Sequence, residues 1–98
     1  MNDPTHHIGI LAIDVFMPSS RSLKDKRMIL KSLKDKIRNK FNVSIAELDR
    51  EDKWQTATLG MSMIGNDRRY MDGCLQNIVS YVESFGALEI SDHSVMFF

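Results

Sequence analysis

Residues 20–41 read SRSLKDKRMILKSLKDKIRNKF. At about 100° per residue, Leu23, Leu30, Leu33, Ile37 and Phe41 fall within a sector of roughly 80°, with Ile29 just beside it. This is a helix with one core-facing stripe. Lys24, Arg27, Lys31, Lys34 and Arg38 follow at spacings of 3, 4, 3 and 4. They fill a second arc of about 80° that begins where the apolar stripe ends. Asp25 and Asp35 fall off that arc. Pro18, Ser19 and Ser20 form a turn before the helix, and Ser22 is placed to cap it by accepting a hydrogen bond from a free backbone N–H. Asn39 and Asn42 mark the exit, and the basic last turn suits the dipole at the carboxyl end.

Outward from the helix the pattern changes period. Before it, residues 8–16 (IGILAIDVF) are short, apolar and β-branched, which predicts a strand. Both faces of that strand are largely apolar, as in a central strand or in a sheet whose second face meets another subunit. After the helix, residues 43–48 (VSIAEL) predict a second strand, and residues 49–53 a charged connection. Residues 55–64 (QTATLGMSMI) alternate: Ala57, Leu59, Met61 and Met63 point one way, Thr56, Thr58, Gly60 and Ser62 the other. Gly65-Asn66-Asp67 stops this strand, with Asn66 or Asp67 capping a second helix. That helix repeats apolar residues at helical spacing from Tyr70 and Met71 through Cys74, Leu75, Ile78, Val79 and Val82 to Phe85, and Gly86 is expected at its carboxyl end. Residues 87–98 predict a fourth strand with an apolar end, Val95-Met96-Phe97-Phe98.

The order strand, helix, strand, strand, helix, strand, with right-handed crossovers, predicts an α+β fold. The simplest form is a ferredoxin-like βαββαβ sandwich, a four-stranded antiparallel sheet with two helices on one face. The Ala57, Leu59, Met61 and Met63 side would meet the helices. The other face would be open to water or to a second copy. Ninety-eight residues with 43% hydrophobic content make one domain, 1–98, with residues 1–6 as a loose arm.

Composition narrows the class. No apolar run is long enough to span a membrane, and the acidic, helix-breaking start without a small-residue cleavage site does not read as a signal peptide. A single cysteine, Cys74, forms no internal disulfide and suits a reducing cytoplasm. The chain holds 13 basic and 13 acidic residues. Between residues 21 and 40, nine basic residues face two acidic ones, a local balance of +7, so the remainder sums to −7. A neutral total thus hides a basic helix on an acidic body. Lysines on a helix are often only a solvated face, but such a face more naturally mixes signs, whereas these like charges repel at i, i+3 and i+4.

No catalytic or cofactor signature is present: no phosphate-binding glycine loop, no paired metal-ligand motif and no nucleophile elbow. His6 and His7 lack further ligands at suitable spacing for a metal. Asp14, at the end of the first strand, is expected to pair with an arginine or lysine. Cys74 sits in an apolar stripe as a small hydrophobe. Trp54, beside the charged connection, reads as a packing residue, with base stacking or partner anchoring as the alternative. Acylphosphatases share the expected architecture but need a glycine-rich, arginine-bearing loop after the first strand. That place holds Met17-Pro18-Ser19-Ser20-Arg21, without glycines. The aromatic stacking residues of RNA-recognition domains are missing from the third strand, which offers Thr58, Gly60 and Ser62. The expectation is a binding protein with no cofactor, not an enzyme.

Several blocks together resemble a known family: Met17-Pro18, Ser22-Leu23-Lys24-Asp25-Lys26-Arg27, Leu30-Lys31-Ser32-Leu33-Lys34, Arg38-Asn39, Phe41-Asn42-Val43-Ser44-Ile45-Ala46-Glu47, then Asp52-Lys53-Trp54-Gln55 and Asn66-Asp67. The pattern is similar to that of the YlxP-like family of uncharacterised bacterial proteins, over residues from about 8 to about 90. The resemblance implies a ferredoxin-like fold. It suggests a link to translation, since genes of this family tend to lie beside those for ribosome-maturation and initiation factors, and it carries no established activity. Two readings follow. In the first, the protein binds RNA or the ribosome through Arg21, Ser22, Lys24, Arg27, Lys31, Lys34 and Arg38, with the helix start completing a phosphate track. Five phosphate contacts would give a log–log salt slope of about −3.5 to −4.5. In the second, it is a dimeric interaction module whose basic face docks an acidic protein partner.

Overall fold

The computed structural model describes residues 5–49 and 52–98. The chain runs β1 (His7–Phe16), α1 (Leu23–Lys40), β2 (Ser44–Glu47), β3 (Thr56–Gly65), α2 (Arg68–Glu83) and β4 (Glu89–Phe97). The sheet order is β2-β3-β1-β4, and every neighbouring pair is antiparallel. This is the expected ferredoxin-like α+β sandwich, with both helices on one face of the sheet.

Strand alternation decides which side is core. Leu11, Ile13 and Val15 of β1 and Ala57, Leu59 and Met61 of β3 are buried beneath the helices, as the two-residue period requires. Leu30, Leu33 and Ile37 come down from α1, and Met71, Leu75, Ile78 and Val82 from α2. Helix α1 lies over β2, and α2 over β1 and β4. The apolar stripe of α1 also buries a lysine, Lys26.

Several boundaries and roles differ from the sequence reading. β1 begins one residue earlier, at His7, and the first four residues of the expected arm lie outside the described residues, as do residues 50 and 51 of the charged connection. The spacing places Tyr70 in the stripe of α2, yet it is exposed, and the buried residue of that first turn is its neighbour Met71. No glycine has a positive φ, so Gly86 does not close α2 in a left-handed cap. The helix ends instead through bonds from Ser84 N to Ser80 O (3.1 Å) and Phe85 N to Val82 O (3.0 Å), a tightening last turn. β4 carries one extra residue, Ser91, where its register with β1 shifts between Asp14 and Val15, a bulge on an edge strand.

Candidate nucleic-acid interface

The start of α1 is built from its own side chains. The Ser22 hydroxyl accepts from Asp25 N (3.0 Å), while the Asp25 carboxylate reaches back to accept from Arg21 N (2.9 Å). Ser20 is buried and its hydroxyl donates to the Ser22 carbonyl (3.2 Å). This is a variant of the capping box, in which the reaching aspartate accepts from the residue before the cap, Arg21, instead of from Ser22 itself. It alters the expected role of Arg21 and Ser22: the place where a phosphate would meet the helix start already holds the Asp25 carboxylate, and like charge repels there. The Ser22 hydroxyl and the Arg21 backbone N–H serve the cap, whereas the Arg21 guanidinium takes no part in it.

Past Arg21, the other eight basic residues of this segment divide by direction. On the flank toward α2, Lys36 lies 4.9 Å over the Phe85 ring and Lys40 lies 4.7 Å over Tyr81. Beneath the helix, Lys26 is 4% exposed; its ammonium donates to the Lys53 carbonyl (3.0 Å) and lies 3.6 Å from Glu47. The opposite flank holds Lys24, Arg27, Lys31, Lys34 and Arg38. At its far end Arg38 donates to the Ile45 carbonyl (3.3 Å), so this flank runs beside edge strand β2.

Within the row one acidic residue is more effective than its place on the helical wheel suggests. Asp35 accepts from Lys31 at 2.9 Å and lies 3.7 Å from Arg38. A carboxylate arm spans the gap to its i−4 and i+3 neighbours even though its own Cα is off the arc. The hydrogen bond from Lys31 holds the Asp35 carboxyl below its usual range; slight desolvation opposes this, and the charges of Lys31, Arg38 and Lys34 add to it. Lys24, Arg27 and Lys34 have no carboxylate partner among the described residues. Among the described residues the row is therefore three cations outside any ion pair and two that share one aspartate.

Other residues singled out by sequence fall elsewhere. Asp14 meets no cation among the described residues; it accepts from Thr58 Oγ1 (2.7 Å) on the open sheet face and stands opposite Asp92 in register. Trp54 is 54% exposed rather than packed, because the connection carries it past the end of the sheet. With Phe16 and Thr56 it lines an open depression of about 410 Å³. Cys74 is half-buried in a cleft of about 420 Å³ between the end of α1 and the start of α2, together with Phe41, Met63 and Met71. A hydrogen bond with Cys74 holds the Tyr70 phenol above its ordinary range. Among the described residues no group of three histidine, cysteine or acidic side chains converges as for a metal, and no helix is long and apolar enough to cross a membrane.

The sequence reading missed Lys26. Its signal was available: residues 26, 30, 33 and 37 are spaced 4, 3 and 4 apart, the same stripe as Leu30, Leu33 and Ile37. A lysine there is tolerated because its stem packs as a hydrophobe while carbonyl and carboxylate oxygens meet the ammonium.

Comparison with known proteins adds a family and a fold. A family model described as "Protein of unknown function (DUF503)" matches residues 8–95. The "Uncharacterized protein YlxP" of Bacillus subtilis (strain 168) is 33% identical over 82 residues, covering 84% of this chain and 89% of that protein. Among solved structures, the de novo designed protein Foldit4 matches with a TM-score of 0.53 at 9% identity, over 95% of this chain and 96% of its own. The cofactor-independent oxygenase SnoaB of Streptomyces nogalater matches with a TM-score of 0.52 at 10% identity, over 92% and 90%. At such identities these two likenesses bear on the fold alone.

Proposed function

The chain belongs to the DUF503 family of proteins of unknown function, and on that footing we propose that it is a cytoplasmic accessory protein of translation that binds RNA or the ribosome through the outer flank of α1. One observation carries this reading: among the described residues Lys24, Arg27 and Lys34 share a flank and none of them is in an ion pair, and Lys31 and Arg38 extend it around Asp35. Cations that repel one another along a helix are a cost to the free protein, which phosphates at the same spacing would relieve. Lysines and arginines on phosphates read no sequence, so the preference is for RNA shape. Three unpaired cations correspond to a salt slope of about −2 to −3, below that for five.

The test is direct RNA binding by the Lys24→Glu/Arg27→Glu/Lys34→Glu variant. Loss of association, with an unchanged circular-dichroism spectrum and melt, supports the reading. Unchanged affinity rejects it.

The same flank also suits an acidic protein partner, favoured by its position beside the exposed edge of β2, where an extended segment has backbone groups to pair with. Particle mass in low and high salt, with and without nuclease, separates the two. In either case the protein acts by binding and not by catalysis. That reading draws on the turn 17–21, where the Ser20 hydroxyl and the Arg21 N–H are engaged around the helix start and no glycine opens a phosphate cradle. Turnover of an acyl phosphate would overturn it.

A further inference from the structure

We propose that the sheet face opposite the helices is the interface of a homodimer. Among the described residues, the large apolar side chains left exposed concentrate there: Ile8 of β1, Ile64 of β3, Met96 of β4, Leu48 just past β2 and the terminal Phe98. Ile8 and Phe98 exchange both backbone hydrogen bonds (2.9 and 2.8 Å), so this apolar corner is held by the sheet itself. Leu48 lies flat across the face, its side chain over Gly60. Every one of these groups stands in water in the single copy, at a cost of about 25 cal/mol for each Å².

The face suits a second copy better than any other occupant. The strand positions that point this way carry no lysine or arginine, and they do carry Asp14, Glu89 and Asp92, so nucleic acid is repelled and an acidic protein finds no counter-charge. Size fits as well. Strands of ten, ten and nine residues, with short β2 beside them, present roughly 500 Å² in projection, and side-chain relief raises this toward the ~800 Å² per partner of a standard interface. The shape complements itself. The row across the middle is small: Ala46, Gly60, Ala12 and Ser94 lie side by side in register. The rows toward the two ends are bulky, Ile8 with Ile64 and Phe98 at one, Phe16 with Trp54 at the other.

Charge then selects the axis. A twofold parallel to the strands would set Asp14 and Asp92 against the same pair of the other copy, four carboxylates together. A twofold across the strands, over the Ala12 row, exchanges the two ends. Asp14 then faces the row that holds Ile10, Ser62 and Met96 in the other copy, and Ile8 faces the end that holds Phe16 and Glu89, so no carboxylate meets another. The assembly would be a closed pair with both α1 flanks on its outer surface, and its existence does not depend on what those flanks bind.

The test is the solution mass of the full chain at high micromolar concentration, by light scattering and sedimentation. A dimer that persists in high salt is expected. Ile64→Lys, at a side chain already 71% exposed and so harmless to folding, should make it a monomer with an unchanged melt of secondary structure. Ile10→Asp/Met96→Asp should do the same, and Tyr70→Asp on the helix side should leave the dimer intact. A monomeric wild-type protein, or a dimer indifferent to Ile64→Lys, overturns the proposal. For the axis, in a Cys74→Ser background, a short bis-maleimide should join Ile8→Cys to Phe16→Cys when the two variants are mixed. Cross-linking of Ile8→Cys to itself would overturn the end-exchanged arrangement.

Discussion

The ammonium of Lys26, on the buried side of α1, donates to the backbone carbonyl of Lys53 at 3.0 Å, across the span between the first helix and the strand pair that follows it. Glu47 lies 3.6 Å from the same ammonium at the end of β2. One side chain thereby fixes the helix, the end of the edge strand and the connection that carries Trp54. On the other side of that connection, Gln55 donates to the Pro18 carbonyl (3.1 Å) and Met17 N donates to the Gln55 carbonyl (2.7 Å). The hairpin and the turn before α1 are thus one braced unit.

Replacing Lys26 with alanine removes both the buried stem and the donor. The expected loss is about 2–3 kcal/mol, from an unsatisfied carbonyl plus lost packing. In a chain of this size that lowers Tm by roughly 10–20 °C. Lys26→Met keeps the stem and should recover more than half of the loss. Thermal unfolding followed by circular dichroism measures both, and since the chain has a single tryptophan, its fluorescence reports whether the connection loosens first.

Asp35→Asn should strengthen RNA binding. It removes the one carboxylate in the row and releases Lys31 and Arg38. The log–log salt slope should steepen from about −2 to −3 toward −3.5 to −4.5. Filter binding across a salt series reads the slope, and an unchanged slope would show that Lys31 and Arg38 do not meet phosphate.

The same carboxylate predicts an acid effect of opposite sign on affinity and stability. The folded-state value of Asp35 is depressed by Lys31, so its stabilising contribution is present above the unfolded carboxylate range and is lost as pH falls through the folded value. Over that acidic window the helix weakens slightly while RNA affinity rises, because protonation frees the two cations. The Asp35→Asn variant should be flat for the Asp35 component of both. Parallel titrations of melt and binding test this.

Ser22→Ala should cost about 1 kcal/mol, the ordinary value of a lost N-cap, and should leave RNA affinity unchanged where the protein is fully folded. A loss of affinity with no loss of stability would return Ser22 to the binding surface. Equilibrium urea unfolding beside a binding isotherm separates the two.

Two glycines on opposite faces of the sheet should respond differently to alanine. A Cβ at Gly9 would lie 3.0 Å from the Phe97 ring and 3.1 Å from Leu75, which is fully buried. Gly9→Ala is expected to cost about 1–3 kcal/mol by overpacking. At Gly60 the nearest atoms, at 2.8 Å, belong to the free end of Leu48, which can swing into solvent. Gly60→Ala should cost under about 1 kcal/mol in the monomer. The pair is compared by urea unfolding at concentrations below dimer formation.

The element order, the pairing of helix stripes with the Ala57, Leu59, Met61 and Met63 side, and the amino-terminal caps (Ser22 outright, the second as Asn66 or Asp67) were legible in the sequence, because each depends on chemistry within a few residues. A two-residue or 3.6-residue period states which side of an element is apolar, and Ser22 and Asp67 cap N–H groups three residues away. What burial does to a charged or aromatic side chain was not local. Lys26 reads as surface by its charge, yet oxygens brought from residues 47 and 53 make its burial tolerable. Asp35 reads as off the arc, yet its arm reaches two cations. Trp54 reads as a packing residue, yet the chain carries it past the sheet's end, and Asp14 meets Thr58, with Asp92 opposite in register, where an arginine or lysine is expected. By itself, then, the sequence determined the fold and the family of this protein, and the presence of a basic helix on an acidic body. Only the tertiary structure decided which of those cations stay unpaired and which apolar groups stay uncovered, since both depend on partners that folding brings together from distant parts of the chain.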